Sequence, residues 1–116
     1  MADVVLLADD IFFQAKILET AKKVGVEVKT VSTPEAVLQH PARLYIVDLN
    51  ARCGLAAVEQ LATAGNLKPV VAFLSHVQVD LAERARAAGC RQVLPRSKFT
   101  QELPALLAQA KPPGGS

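Results

Sequence analysis

The chain has 116 residues, 51% of them hydrophobic and 21% charged, enough for one domain with one sizeable core, since folding at this length removes roughly two thirds of the extended surface from water. Thirteen Lys and Arg against eleven Asp and Glu leave a net charge of +2, too small a surplus to imply nucleic acid or an anionic membrane as partner. The longest apolar run, Val70–Leu74, falls far short of the ~20 residues of a bilayer span, which excludes a helical membrane protein.

Taken in chain order, short β-branched runs alternate with amphipathic stretches. Val4 to Ala8 is apolar without alternation, as expected of a strand covered on both faces. Asp9 and Asp10 end it, and Phe13, Ile17, Ala21 and Val24 then recur at helical spacing as far as Gly25. Val26 to Val31 alternates and predicts a half-exposed strand. Thr33-Pro34-Glu35 is a helix start, with Thr33 capping and Pro34 at the first position, and Pro41 closes that helix early. Tyr45 to Val47 predicts a buried strand ending at Asp48, and Leu55 to Ala64 a helix stopped by Gly65. Val70 to Leu74 predicts the most central strand, ending at Ser75. Val79 to Ala88 predicts a helix stopped by Gly89, Gln92 to Leu94 a short strand, and Thr100 the cap of a last helix carrying Leu103, Leu106 and Leu107. Residues 111–116, Lys-Pro-Pro-Gly-Gly-Ser, predict a disordered tail or linker after a domain spanning 1–110.

Five strands alternating with five helices predict a parallel sheet sandwiched between helices. Ligands of such sheets bind beyond the carboxyl ends of the strands. Asp9, Asp10 and Asp48 lie at two of those ends, Ser75 at a third and Arg96 just past a fourth. Singly, each has an ordinary explanation: an aspartate after a strand forms a turn or caps a helix, and a serine opens a loop. Together they predict a site. Three neighbouring carboxylates repel one another unless a cation neutralises them, and a hard, all-oxygen donor set suits Mg2+. A carboxylate beside such a cation can attack a phosphoryl group. The hydroxyl of Ser75 and a cation, Arg96 or Lys98, would hold the remaining phosphoryl oxygens.

The segments Leu6-Leu7-Ala8-Asp9-Asp10, Tyr45-Ile46-Val47-Asp48-Leu49-Asn50, Val70 to Ser75, and Ala87-Ala88-Gly89-Cys90 through Phe99 together resemble the receiver domain of two-component response regulators, over residues 3 to about 110. The resemblance implies a five-stranded parallel sheet in the order 2-1-3-4-5 flanked by five helices, a flavodoxin-like sandwich. It implies that Asp48 accepts a phosphoryl group from a histidine kinase or phosphotransfer protein. It further implies that Asp9, Asp10 and Asp48, with the main-chain carbonyl of Asn50, hold Mg2+, and that Ser75 swings toward the phosphoryl group. An effector protein or domain would read the result, with a homodimer as a further option, in the cytoplasm and without enzymatic turnover.

The chain also departs from the family pattern. Arg96 stands where receivers carry a lysine, Ser97 replaces the following proline, and Val93 takes the place of the switch aromatic. His76 follows the hydroxyl where a small residue is usual, and the loop after Asp48 is about two residues short. These departures support an alternative: a phosphorylation-independent pseudo-receiver whose Arg96–Asp48 pair mimics or precludes the phosphorylated state. A flavodoxin-like cofactor binder is disfavoured, because Asp9-Asp10-Ile11-Phe12 stands where a glycine-rich phosphate loop would be. Of the adjacent Phe12 and Phe13, one belongs to the core and the other to the mouth of the site. Cys53 and Cys90 stand in no metal-binding spacing and predict reduced thiols.

Overall fold

The computed structural model describes residues 2–75 and 78–112. Strands and helices alternate strictly: β1 (Ala2–Leu7), α1 (Ile11–Val24), β2 (Val28–Val31), α2 (Pro34–Gln39), β3 (Ala42–Asp48), α3 (Gly54–Thr63), β4 (Val70–Leu74), α4 (Val79–Ala87), β5 (Gln92–Pro95) and α5 (Arg96–Ala108). All strand pairs are parallel and the sheet order is β2-β1-β3-β4-β5. This is the architecture expected from the sequence.

Strand parity builds the two layers. Val4 and Leu6 of β1, Leu44 and Ile46 of β3, and Val71 and Phe73 of β4 point to one face. There they meet Phe13, Ile17 and Ala21 of α1 and Phe99, Leu103, Leu106 and Leu107 of α5. The intervening residues Val5, Leu7, Tyr45, Val47, Val70, Ala72 and Leu74 pack against α2, α3 and α4 on the other face. Both faces of the three inner strands are therefore covered, which is why those strands read as unbroken apolar runs.

Local signals set most helix ends. Thr33 Oγ1 accepts the Ala36 amide at 3.1 Å, and Pro34 occupies the first turn of α2. Gly25 closes α1 with φ of 92°, a left-handed conformation open to glycine. Several expectations are corrected: β1 and β3 begin earlier, at Ala2 and Ala42 instead of Val4 and Tyr45, and the middle strand of the sheet is β3, not Val70–Leu74. The second strand begins at Val28, not Val26, whose side chain is nonetheless buried. The last helix begins at Arg96 instead of after Thr100. Pro95 enters it in an extended conformation, and the Thr100 hydroxyl, one turn further on, donates back to the Arg96 carbonyl at 2.9 Å. Thr100 is thus inside the helix, and the helix carries Arg96 in its first turn.

Candidate functional site

Asp48 is the last residue of β3 and shares its face with Leu44 and Ile46, so its side chain points under α1 and α5. It is 3% exposed and is the one buried charged residue among those described. Its Oδ1 accepts the Asn50 amide at 2.9 Å. Burial raises its pKa above the ordinary aspartate value; the Asn50 amide and the Arg96 charge pull the other way, and the charges of Asp9 and Asp10 add to the rise.

Asp10 caps α1. Its Oδ1 accepts the Phe12 and Phe13 amides at 3.0 and 3.1 Å, the ordinary role of an aspartate placed between a strand and a helix. The Phe13 amide is the main cause of a lowered Asp10 pKa, with Arg96 and the Phe12 amide adding to it against partial desolvation. Asp9 is held by a different partner, its Oδ2 accepting the Arg52 amide at 2.9 Å and joining the loop after β1 to the loop after β3.

Arg96 occupies the space between these carboxylates. Its Nη1 donates to Asp10 Oδ2 at 3.2 Å and its Nη2 lies 3.7 Å from Asp48 Oδ2. The guanidinium carbon stands 4.3 Å from the centroid of the Phe13 ring and 5.8 Å from that of Phe73, within cation–π range. Phe73 in turn stacks on Phe99 with centroids 4.4 Å apart, so the platform is part of the core. The Nε of Arg96 is buried and has no hydrogen-bond partner among the described residues. Lys98, the other candidate cation, lies on α5 with its Nζ 3.4 Å from Glu102, in an i, i+4 pair outside the site.

Ser75 is exposed at the end of β4 and is held by Asn50. The Asn50 Oδ1 accepts the Ser75 amide at 2.5 Å and the Ser75 hydroxyl at 2.9 Å, while its Nδ2 donates to Gln78 Oε1 at 2.7 Å. The hydroxyl is therefore directed at Asn50. His76 lies outside the described residues.

The Phe pair divides as expected into one core and one exposed member, but that the core member also walls the site was not foreseen, nor were three further features. Phe13 is both core and site wall, whereas Phe12 is 83% exposed. The Asn50 side chain, and not only its main chain, joins two loops. Arg52 contributes its amide. Gly54 opens α3 so close to β3 that a Cβ there would stand 2.2 Å from the Asp48 carbonyl oxygen. Only the Phe-Phe pair and the Gly after a short loop were visible signals. Both cysteines are free, and burial pushes the Cys90 thiol up to about 11, which makes it unreactive.

The donor chemistry at Asp9, Asp10, Asp48 and the Asn50 carbonyl is hard oxygen throughout and fits a divalent cation such as Mg2+. The expected convergence of three carboxylates is not what the structure shows. Among the described residues no group of three His, Cys, Asp or Glu side chains is arranged to hold a metal ion. Asp10 is committed to the α1 amides and to Arg96, Asp9 to the Arg52 amide, and the guanidinium supplies the positive charge between Asp10 and Asp48.

No family model matches the chain, and neither does any curated protein. Solved structures do. A response regulator receiver protein from Pseudoalteromonas atlantica superposes with a TM-score of 0.80 at 16% identity, covering 92% of this chain and 94% of that one. A response regulator from Burkholderia pseudomallei, solved with a phosphorylated aspartic acid, a calcium ion and citrate, gives 0.76 at 14% identity over 90% of this chain and 65% of that one. NtrX from Brucella abortus in complex with ADP gives 0.77 at 19% identity, with 94% of this chain matching 26% of that longer one. Among the described residues no helix is long and apolar enough to cross a membrane. Sheet order, layering and these superpositions agree: the chain has the receiver-domain fold of the response regulators.

Proposed function

We propose that this chain is a signal-transduction receiver module in which Asp48 accepts a phosphoryl group from the phosphohistidine of a histidine kinase or phosphotransfer protein. The observation that carries this reading is a buried carboxylate at the carboxyl end of the central strand, facing a fixed guanidinium. Burying a charge is costly unless it is paired, and a buried carboxylate facing a charge partner at the ligand-binding end of a sheet is a candidate for chemistry. In the transfer the bond between phosphorus and the donor nitrogen breaks as one forms to Asp48 Oδ2. The Asn50 amide on Oδ1 orients the carboxylate for that attack. Arg96 offers two N–H groups to the phosphoryl oxygens. Ser75, freed from Asn50, would turn its hydroxyl to the same group and carry the change into the loop that leads to α4.

A divalent cation, Mg2+ by the hardness of the donors, would be held by Asp9, Asp10, Asp48 and the Asn50 carbonyl and would neutralise phosphoryl charge. The module acts as a switch for an effector protein or domain and not as an enzyme. A cofactor phosphate at the start of α1 is disfavoured, since the Asp10 carboxylate already takes the first amides there.

The test is the backbone amide NMR spectrum of the protein with Mg2+ and then beryllofluoride, a stable phosphoryl mimic. Saturable shifts at Asp48 that spread to Asn50 and Ser75 are expected. A spectrum indifferent to both would favour the second reading, a phosphorylation-independent interaction module. One observation supports that alternative: the Arg96 guanidinium spans both Asp10 and Asp48, as the pair invoked for a pseudo-receiver requires.

A further inference from the structure

We infer that Arg96 and a divalent cation compete for the same carboxylates, so that Arg96 is the resident counter-ion of the site and sets how readily metal enters it. This deepens the receiver reading above and rests on it only for where the cation would bind. Three observations carry it. The guanidinium bridges Asp10 and Asp48, with one terminal nitrogen on each. It is clamped from beneath by Phe13, whose ring belongs to the core. Among the described residues, no group of three His, Cys, Asp or Glu side chains is arranged to hold a metal ion.

The chemistry of the side chain makes it a persistent occupant. A guanidinium is always charged, is more weakly hydrated than an ammonium, and combines a planar fork with an aromatic stack. A lysine at the same place offers a single point charge, which cannot span two carboxylates and lie flat on a ring at once. Mg2+ sheds its waters reluctantly, so it gains little by displacing a partner that is already paired with both carboxylates and stacked on the ring. A metal ion entering beside Arg96 would face its positive charge, and Asp10 would have to trade a guanidinium bond for a metal bond. Metal entry therefore requires the guanidinium to leave Asp10 and lift from the Phe13 ring.

The experiment is a titration of the full chain with Mg2+ by calorimetry, and with Mn2+ by paramagnetic broadening of backbone amides, with no phosphodonor present. Arg96→Gln removes the charge and the fork, and is expected to tighten metal binding by about tenfold or more, ~1.4 kcal/mol. Arg96→Lys keeps the charge without fork or stack, is the milder change for folding, and is expected to fall between Gln and the natural residue. Adding Asp10→Asn to Arg96→Gln is expected to abolish the gain. In the natural protein, saturating Mg2+ is expected to shift the Arg96 Nε–H resonance. Equal affinity in all three forms, no binding in any, or a gain that survives Asp10→Asn would each overturn the inference. Phosphorylation of Asp48 is not read in this experiment, so failure here leaves that reading to its own test.

Discussion

The guanidinium of Arg96 lies 4.3 Å over the ring of Phe13, and that stack joins the first turn of α5 to the first turn of α1 across the carboxyl ends of the strands. The two residues are 83 positions apart (96 − 13) and belong to helices that pack on the same face of the sheet. Because the ring also touches Phe73 and Phe99, the charge chemistry of the site is anchored in the hydrophobic core.

Phe13→Ala therefore acts twice. It empties a buried aromatic site and is expected to lower stability by about 3 kcal/mol. Phe13→Leu keeps most of the volume, costs about 1 kcal/mol, and still deprives Arg96 of its platform. Urea denaturation measures the first effect. Faster exchange of the Arg96 Nε–H in Phe13→Leu measures the second, and unchanged exchange would show that the carboxylates alone hold the guanidinium.

Asp48 and Asp10 predict opposite pH dependences. The Asp48 pKa is raised by burial from its ordinary value of 3.8, so the folded state holds the proton more tightly than the unfolded one. Its contribution to stability is complete below that ordinary value and is lost as pH rises through the folded pKa. Asp48→Asn, uncharged throughout, is expected to be more stable than the natural protein at neutral pH, with the gap closing on acidification. The Asp10 pKa is lowered, so its contribution is present above the ordinary value and is lost as pH falls through the folded one. Asp10→Asn is expected to lose stability at neutral pH and to converge with the natural protein in acid. Urea denaturation across that range reads both slopes, and parallel curves for the two variants would contradict the assignment.

Asn50 links Ser75 to Gln78 through its side chain. Asn50→Ala removes three hydrogen bonds from an exposed loop, each worth about 1 kcal/mol. The expected result is amide exchange at Ser75 faster by about tenfold or more, with the core amides of β4 unchanged. Uniform acceleration across β4 would mean that Asn50 supports the sheet and not the loop.

Gly54 tests how tightly the loop after Asp48 is drawn in. A Cβ at this position would stand 2.2 Å from the Asp48 carbonyl oxygen and 2.9 Å from Leu49 Cα, and backbone atoms cannot step aside as a side chain can. Gly54→Ala is expected to cost about 2 kcal/mol or more by overpacking and to move the Asp48 and Asn50 amide resonances. A variant of natural stability would show that α3 shifts freely away from β3.

The strands and the strand-end aspartates were legible because both rest on local pattern. Double-sided burial leaves unbroken apolar runs such as Val70–Leu74, and acidic residues directly after such runs stand out. The start of α5 was not legible. Thr100 has the chemistry of a cap, while Pro95 enters the helix in an extended conformation without any side-chain acceptor to announce it. The state of the carboxylates was hidden for a different reason. How Asp10 and Asp48 are held depends on Arg96, whose place depends on a ring supplied by another helix, while Asp9 is held by the Arg52 amide. Arg52 and Asn50 act through a main-chain amide and a loop-to-loop bridge, which residue type does not foretell.

Intact-mass spectrometry after incubation with a small-molecule phosphodonor tests most directly whether Asp48 is the phosphoryl acceptor. With Mg2+ present, one added phosphoryl group is expected on the natural protein, localised to Asp48 by peptide mapping, and none on Asp48→Asn. An unmodified natural protein, or an Asp48→Asn variant modified to the same extent, would contradict the account.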